Sequence, residues 1–265
     1  MSEPLVGNRE RATERATMGR APVVEGGGQL TAPTRPPTVR LRVMNGFELR
    51  VGPALRRVPA PVERLLAFLA VHDRPHHRRT VAAHLWADVS DDRAAAHLRT
   101  ALWRGRKVLG EHLAADGGYL ALGADVDVDV RRLTDQAHRL FRPDERLGDA
   151  DADPAAMLGD LLPDWDEEWI VFERERLRQL RVHALEALCR KLLLADRTGE
   201  AVDVAITAVS AEPLRESAQR LLVTAHLAEG NVSEARRQYA LYRDVLWDAL
   251  GIEPSGELRR LVHAV

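Results

Sequence analysis

Between Arg93 and Lys107 the chain carries four arginines and a lysine and not one acid, inside a stretch whose apolar residues recur with helical period. In the run Asp92–Gly110, DRAAAHLRTALWRGRKVLG, the residues Ala94, Leu98, Ala101, Leu102, Gly105 and Leu109 fall on one side of a helix. Arg93, Ala96, Thr100, Trp103 and Lys107 fall opposite, flanked by Arg99, Arg104 and Arg106. An ordinary amphipathic helix mixes both charge signs on its wet face. This one allows two readings: a solvated basic face on a core helix, or a helix held by its back and laid against phosphates. The segment alone leaves them even, and its surroundings decide.

The 265-residue chain has 38 Lys+Arg against 40 Asp+Glu, a formal charge of −2. Any nucleic-acid surface must therefore come from local segregation of charge. Bases lead from Arg56 to Lys107, and acids lead from Asp144 to Glu175. A basic half followed by an acidic one points to two modules with different partners. Cys189 is the single cysteine, which excludes disulfide frameworks and cysteine-based zinc sites within one chain. Its neighbours Leu185, Leu188 and Leu192 favour a packed core thiol. No apolar run reaches the ~20 residues of a membrane span, and the N-terminus lacks the apolar stretch of a signal peptide. A soluble cytoplasmic protein, nucleoid-associated and without a membrane partner, is expected.

Residues 1–38 read as a disordered tail. Gly26-Gly27-Gly28 lacks the Lys-Ser/Thr ending and preceding strand of a phosphate loop. Val39, Leu41 and Val43 then alternate with Arg40 and Arg42 up to Asn45-Gly46, a hairpin turn signal, and Phe47, Leu49 and Val51 continue the alternation. A short third strand is placed near Arg57 and Val58. Pro61 suits the first turn of a helix whose stripe is Val62, Leu65, Leu66, Leu69 and Ala70. A second helix runs from about Arg79 to Trp86, and Ser90 or Asp91 caps the third, basic one. Asp116-Gly117-Gly118 turns a small hairpin, and Val126, Val128 and Val130 alternate with acids as a last extended piece.

Strands, three helices and a hairpin make a winged helix, with the third helix placed in a major groove. From about Pro163 the pattern is helical throughout. Glu200-Ala201 recurs as Glu234-Ala235, 34 residues later, which matches the ~34-residue tetratricopeptide period. The expected division is a tail (1–38), a winged helix (39–135), a linker (136–162) and an all-α tetratricopeptide-like domain (163–265). The fold class is mainly α.

Other motifs weigh less. His72, His76, His77 and His84 lack a carboxylate or thiol at matching helical spacing, so surface histidines are expected rather than a metal site. Asp127 and Asp129 read as the wet side of an edge strand rather than as paired catalytic acids. No nucleophile signature is present. Neither an enzyme nor a cofactor is expected.

The residues also carry a family resemblance. VSDDRAAAHLRTALWRGRKVLG, then Gly118-Tyr119-Leu120 and Val126-Asp127-Val128-Asp129, resembles the DNA-binding domain of actinobacterial SARP/AfsR-type regulators. LLPDWDEEWIVFERERLRQLRVHALEAL, AEPLRESAQRLLVTAHLAEGN and EARRQYALYRDVLWDALGIEPS resemble the bacterial transcriptional activator domain of the same family. The resemblance spans roughly residues 39–265. It implies an OmpR-like winged helix and a transcription activator, often of a secondary-metabolite (antibiotic) gene cluster. Such a protein binds promoter direct repeats and recruits RNA polymerase holoenzyme. Without a P-loop, the chain is similar to the small members that lack an ATPase module. A homodimer on DNA is one arrangement left open.

The candidate DNA contacts are Arg93, Arg99, Thr100, Arg104, Arg106 and Lys107 on the third helix. Arg suits guanine O6 and N7, while Lys and Thr hold phosphate. Arg78, Arg79 and Thr80 start the second helix and would clamp phosphate through its amino end. Gly117, Gly118 and Tyr119 form the wing, whose arm commonly enters the minor groove. His97 either reads a base or faces solvent. Trp103 either stacks on DNA or packs against another subunit or the helical domain, and packing is favoured.

The family usually has a large aliphatic residue where Gly105 stands. Glycine there costs about 1 kcal/mol in helix propensity and removes apolar contacts worth ~1.5–3 kcal/mol. Trp103 or Trp86 is expected to fill the gap. Were it left open, the C-terminal half of the helix would be looser and the positions of Arg106 and Lys107 less fixed. The alternative function, motivated by Gly105 and the near-neutral net charge, is a protein-interaction module whose winged helix no longer reads DNA.

Overall fold

A computed structural model describes residues 39–142, 147–148 and 154–263. The tail expected to be disordered lies outside the described residues, as does part of the expected linker. Strand β1 (Val39–Arg42) pairs antiparallel with β2 (Glu48–Val51), which pairs with β3 (Ala54–Leu55). The third strand thus precedes Arg57 and Val58. Asn45 and Gly46 both take positive φ (62° and 122°), the backbone that Asn and Gly tolerate.

Pro61 lies in the first turn of α1 (Ala60–His72), and every residue from Leu65 to Val71 is buried. A helix apolar on all sides belongs at the centre of a core. Strand β4 (His76–His77) follows, then α2 (Arg78–Leu85) and α3 (Asp91–Leu109). Strands β5 (Leu113–Asp116) and β6 (Tyr119–Leu122) form the wing hairpin, and β4 joins it in the order β4-β6-β5. The extended reading of His76-His77 was missed because two residues show no period.

Strand β7 (Val126–Val128) pairs parallel with β1, giving the sheet order β3-β2-β1-β7. Alternation does not continue to Val130, because α4 (Asp129–Leu140) begins at Asp129. The reason is local. The Asp129 carboxylate accepts the N–H groups of Val43 (3.1 Å), Met44 (3.0 Å) and Val130 (2.8 Å). Asp129 is therefore not a wet strand residue. Burial holds its carboxyl above the usual range, although these three bonds pull it down. Asp127 does face outward, between Arg40 (3.7 Å) and Arg132 (2.8 Å).

The longer helices that follow are α5 (Glu168–Leu194), α6 (Thr198–Ala211), α7 (Glu216–Ala228), α8 (Val232–Leu250) and α9 (Gly256–His263). Helices α6 and α8 start 34 residues apart, at Thr198 and Val232, each with a buried alanine in its first turn, Ala201 and Ala235. The architecture is a winged helix followed by an all-α, tetratricopeptide-like array. Cys189 is buried in the array, and burial pushes its thiol up to about 12.

The two parts share a core. Leu161, Leu162, Trp169, Ile170 and Leu177 are buried in the same cluster as α1 and the first sheet. Asn45 N–H donates to Asp160 O (2.7 Å) and Leu162 N–H to Val43 O (2.9 Å). Arg174 of α5 donates to the carbonyls of Leu161 (2.7 Å), Leu162 and Trp165 (2.6 Å), fixing that segment.

Candidate nucleic-acid interface

The buried residues of α3 are Ala94, Leu98, Ala101, Leu102, Gly105 and Leu109, the seam that the helical period predicts. Helix α3 therefore turns its opposite face outward. Arg93, His97, Arg99, Thr100, Trp103, Arg104, Arg106 and Lys107 are all exposed. Asp91 and Asp92 lie in its first turn, where the helix dipole favours acids.

Gly105 is not a gap. A Cβ added there would lie 3.0 Å from Leu113 Cδ2 and 3.5 Å from Val62 Cγ1. The wing strand and α1 fill the space, rather than Trp103 or Trp86. Glycine here lets α3 lie close against both. Trp86 instead is buried and stacks on His97, with centroids 5.9 Å apart and planes at 26°. Trp103 is 59% exposed, and the Lys107 ammonium sits 3.7 Å from its ring centroid.

The bases of this region divide into two sets. Arg106 reaches the wing, donating to Leu113 O (3.4 Å) and Ala115 O (3.3 Å) of β5. Arg78, Arg79, Arg93, Arg99 and Arg104 have neither an ion pair nor a side-chain hydrogen bond among the described residues. Arg78, Arg79 and Arg99 border a groove of about 620 Å³ between α2 and the start of α3. The Thr100 hydroxyl donates to Ala96 O (3.1 Å) and keeps its acceptor lone pairs.

The wing is a two-residue hairpin. Asp116 pairs with Tyr119, and Gly117 (φ 54°) and Gly118 (φ 85°) occupy the two left-handed positions that such a turn requires. Gly118 O accepts the Arg78 N–H (2.8 Å), and His77 Nδ1 accepts the Arg79 N–H (3.3 Å). Two amides at the start of α2 are thus engaged within the protein. Any anion there would meet the Arg78 and Arg79 side chains more than the helix amides. Tyr119 is half exposed, its ring edge-on to His77 at 5.5 Å.

The histidines are not all surface residues. His76 is buried and His72 half-buried, and both pack edge-on or stacked against Phe68, at 5.3 Å and 4.1 Å. Trp169 of α5 closes the cluster at 5.4 Å from Phe68. Burial pushes both imidazoles below their ordinary range. The apolar stripe of α1 (Val62, Leu65, Leu66, Leu69 and Ala70) leaves Phe68 and His72 out, because the helix that covers their face lies about a hundred residues later in the chain. His77 and His84 are exposed.

An outward basic helix on a winged-helix scaffold, followed by helical hairpins, is a regulator architecture. Comparison with known proteins makes this specific. The chain belongs to the bacterial transcriptional activator domain family, whose profile matches residues 125–265. It is 31% identical over 192 residues to the regulatory protein AfsR of Streptomyces coelicolor, covering 68% of this chain and 19% of the relative. It is 27% identical over 190 residues to AfsR of Streptomyces griseus, with the same coverage. These matches support a regulator of the SARP/AfsR type. The chain spans about a fifth of the length of these relatives. Among solved structures it is similar to Mycobacterium tuberculosis EmbR, solved in complex with a low-affinity phosphopeptide. The TM-score is 0.63 at 20% identity, over 85% of this chain and 64% of the other, a likeness of fold. No described helix is long and apolar enough to cross a membrane.

Proposed function

We propose that this protein is a sequence-specific DNA-binding transcription activator. The observation that carries the reading is the set of exposed, unpaired arginines on α2 and α3, on a helix held by its apolar back. Arg93, Arg99, Thr100 and Arg104 would enter a major groove, and Gly117 to Tyr119 would approach the adjacent minor groove. Arg106 would brace the wing rather than read bases, and Lys107 would act with Trp103. The helical array would present its surface to RNA polymerase holoenzyme at promoters with direct repeats, as the family description suggests for a bacterial activator. Such a role is cytoplasmic, non-catalytic and without a cofactor, and its expected setting is a secondary-metabolite gene cluster.

Footprinting and gel shift against DNA from the gene's own neighbourhood test the reading. Protected direct repeats, with tight binding that survives competitor DNA, are the expected result. Salt-labile binding without a preferred sequence would overturn it. The alternative, a winged helix that no longer reads DNA, is motivated by Gly105 and the near-neutral charge; the packing of Leu113 and Val62 at Gly105 weakens its first ground, and the same binding assay separates the two readings.

A further inference from the structure

A groove of about 610 Å³ runs between the winged helix and the start of α5, and the DNA reading does not use it. Arg64, His84 and Asp88 border it on one side, and Glu168, Trp169 and Phe172 on the other. Its volume falls in the range of small-molecule sites, ~300–1,000 Å³. Its wall is aromatic: Phe172 is 72% exposed at the rim, and the Trp169 indole lies behind.

The charges in the groove do not cancel. Arg64 is ion-paired with Glu167 (2.6 Å), which also accepts the Trp169 indole N–H (2.6 Å). Glu173 is held by Arg176 (2.7 Å), with His72 Nε2 at 3.7 Å. His72 and His84 donate from Nδ1 to the carbonyls of Phe68 (2.9 Å) and Thr80 (2.8 Å). Burial pushes the His72 imidazole below its ordinary range. Asp88 and Glu168 are left, exposed and without an ion pair or hydrogen bond among the described residues. Two free carboxylates beside one exposed aromatic ring, Phe172, with the buried Trp169 at the groove floor, attract one kind of ligand: positive charge on an apolar body.

We propose that this groove binds a small organic cation, its ammonium in the field of Asp88 and Glu168 and its apolar body against Phe172 and Trp169. The proposal is independent of the DNA reading. Both walls belong to one compact unit, so an occupied groove would fasten α2 to α5.

The test uses the full chain and three probes of matched shape: 2-phenylethylammonium, 2-phenylethanol and 3-phenylpropionate. The readout is the Trp169 indole N–H resonance, assigned with Trp169→Phe. The ammonium probe should shift it saturably, with Kd on the order of 1 mM, a fragment-level affinity. The neutral and anionic probes should bind at least about tenfold more weakly. The double variant Asp88→Asn, Glu168→Gln alters only exposed groups, and thermal melting checks that it folds. It should raise the Kd of the ammonium probe about fivefold or more. Equal binding of the three probes, a shift still linear at about twentyfold that Kd, or an unchanged Kd in the folded double variant would overturn the proposal.

Discussion

The arginines of the helical array and those of α2 and α3 behave oppositely. In the array, Arg176, Arg178, Arg197, Arg215, Arg220, Arg237 and Arg243 each meet a carboxylate, and Arg174 meets three carbonyls. On α2 and α3, Arg78, Arg79, Arg93, Arg99 and Arg104 meet none among the described residues. A net charge of −2 conceals this division. The array pairs most of its described arginines internally, and so does the sheet side of the winged helix, while α2 and the outer face of α3 leave these five unpaired. Removing an unpaired surface arginine should cost the fold almost nothing, which separates binding from stability experimentally.

The largest effect should come from Arg99→Ala with Arg104→Ala. Operator affinity should fall by about 2–6 kcal/mol if both read bases, with no change in melting temperature. A melting shift as large as the affinity loss would break the contrast. Next, Arg174→Ala leaves three backbone carbonyls without their donor, and chemical denaturation should show a loss of about 2–4 kcal/mol. Gly105→Leu overfills the contact with Leu113 and Val62 and should destabilise by about 1–3 kcal/mol. Gly105→Ala should stay within about 1 kcal/mol of the parent, because the helix-propensity gain offsets a contact that a flexible leucine tip can relieve.

A smaller effect is pH-dependent. His72 and His76 bind protons less tightly folded than unfolded, where imidazole titrates near 6.5. Below pH 6.5 the unfolded chain therefore holds more protons, and stability should fall with acid. In denaturation midpoints between pH 7.5 and about 5, His72→Asn should flatten that slope. Smallest of all, Arg237→Ala removes an exposed ion pair with Glu234 and should leave the melting temperature unchanged within error.

Much of this was legible because helices write their burial at a fixed period. The six seam residues of α3 and the stripe of α1 follow from spacing alone. What spacing cannot show is which distant segment arrives opposite. Gly105 looked like a defect because Leu113 and Val62, which fill its space, lie on other elements. His72 and His76 looked wet because Trp169 is nearly a hundred residues away. Val126 to Val130 looked like one strand because alternation extends past Asp129, whose carboxylate starts a helix and holds two amides at the end of β1. The division of the bases was equally hidden: Arg106 is tied to the wing while its neighbour Arg104 is free, and charge alone does not distinguish them.

The parallel pairing of β7 with β1 has a consequence for anyone who would exchange parts between such regulators. The family profile begins at residue 125, so a chimera cut at that point would carry Val126–Val128 and Asp129 away with the array. The donor winged helix would then have an open sheet edge beside β1 and two amides without their carboxylate. A transplant that keeps the native strand and its aspartate with the reading head respects the structure. A border drawn where the family profile begins would sever it.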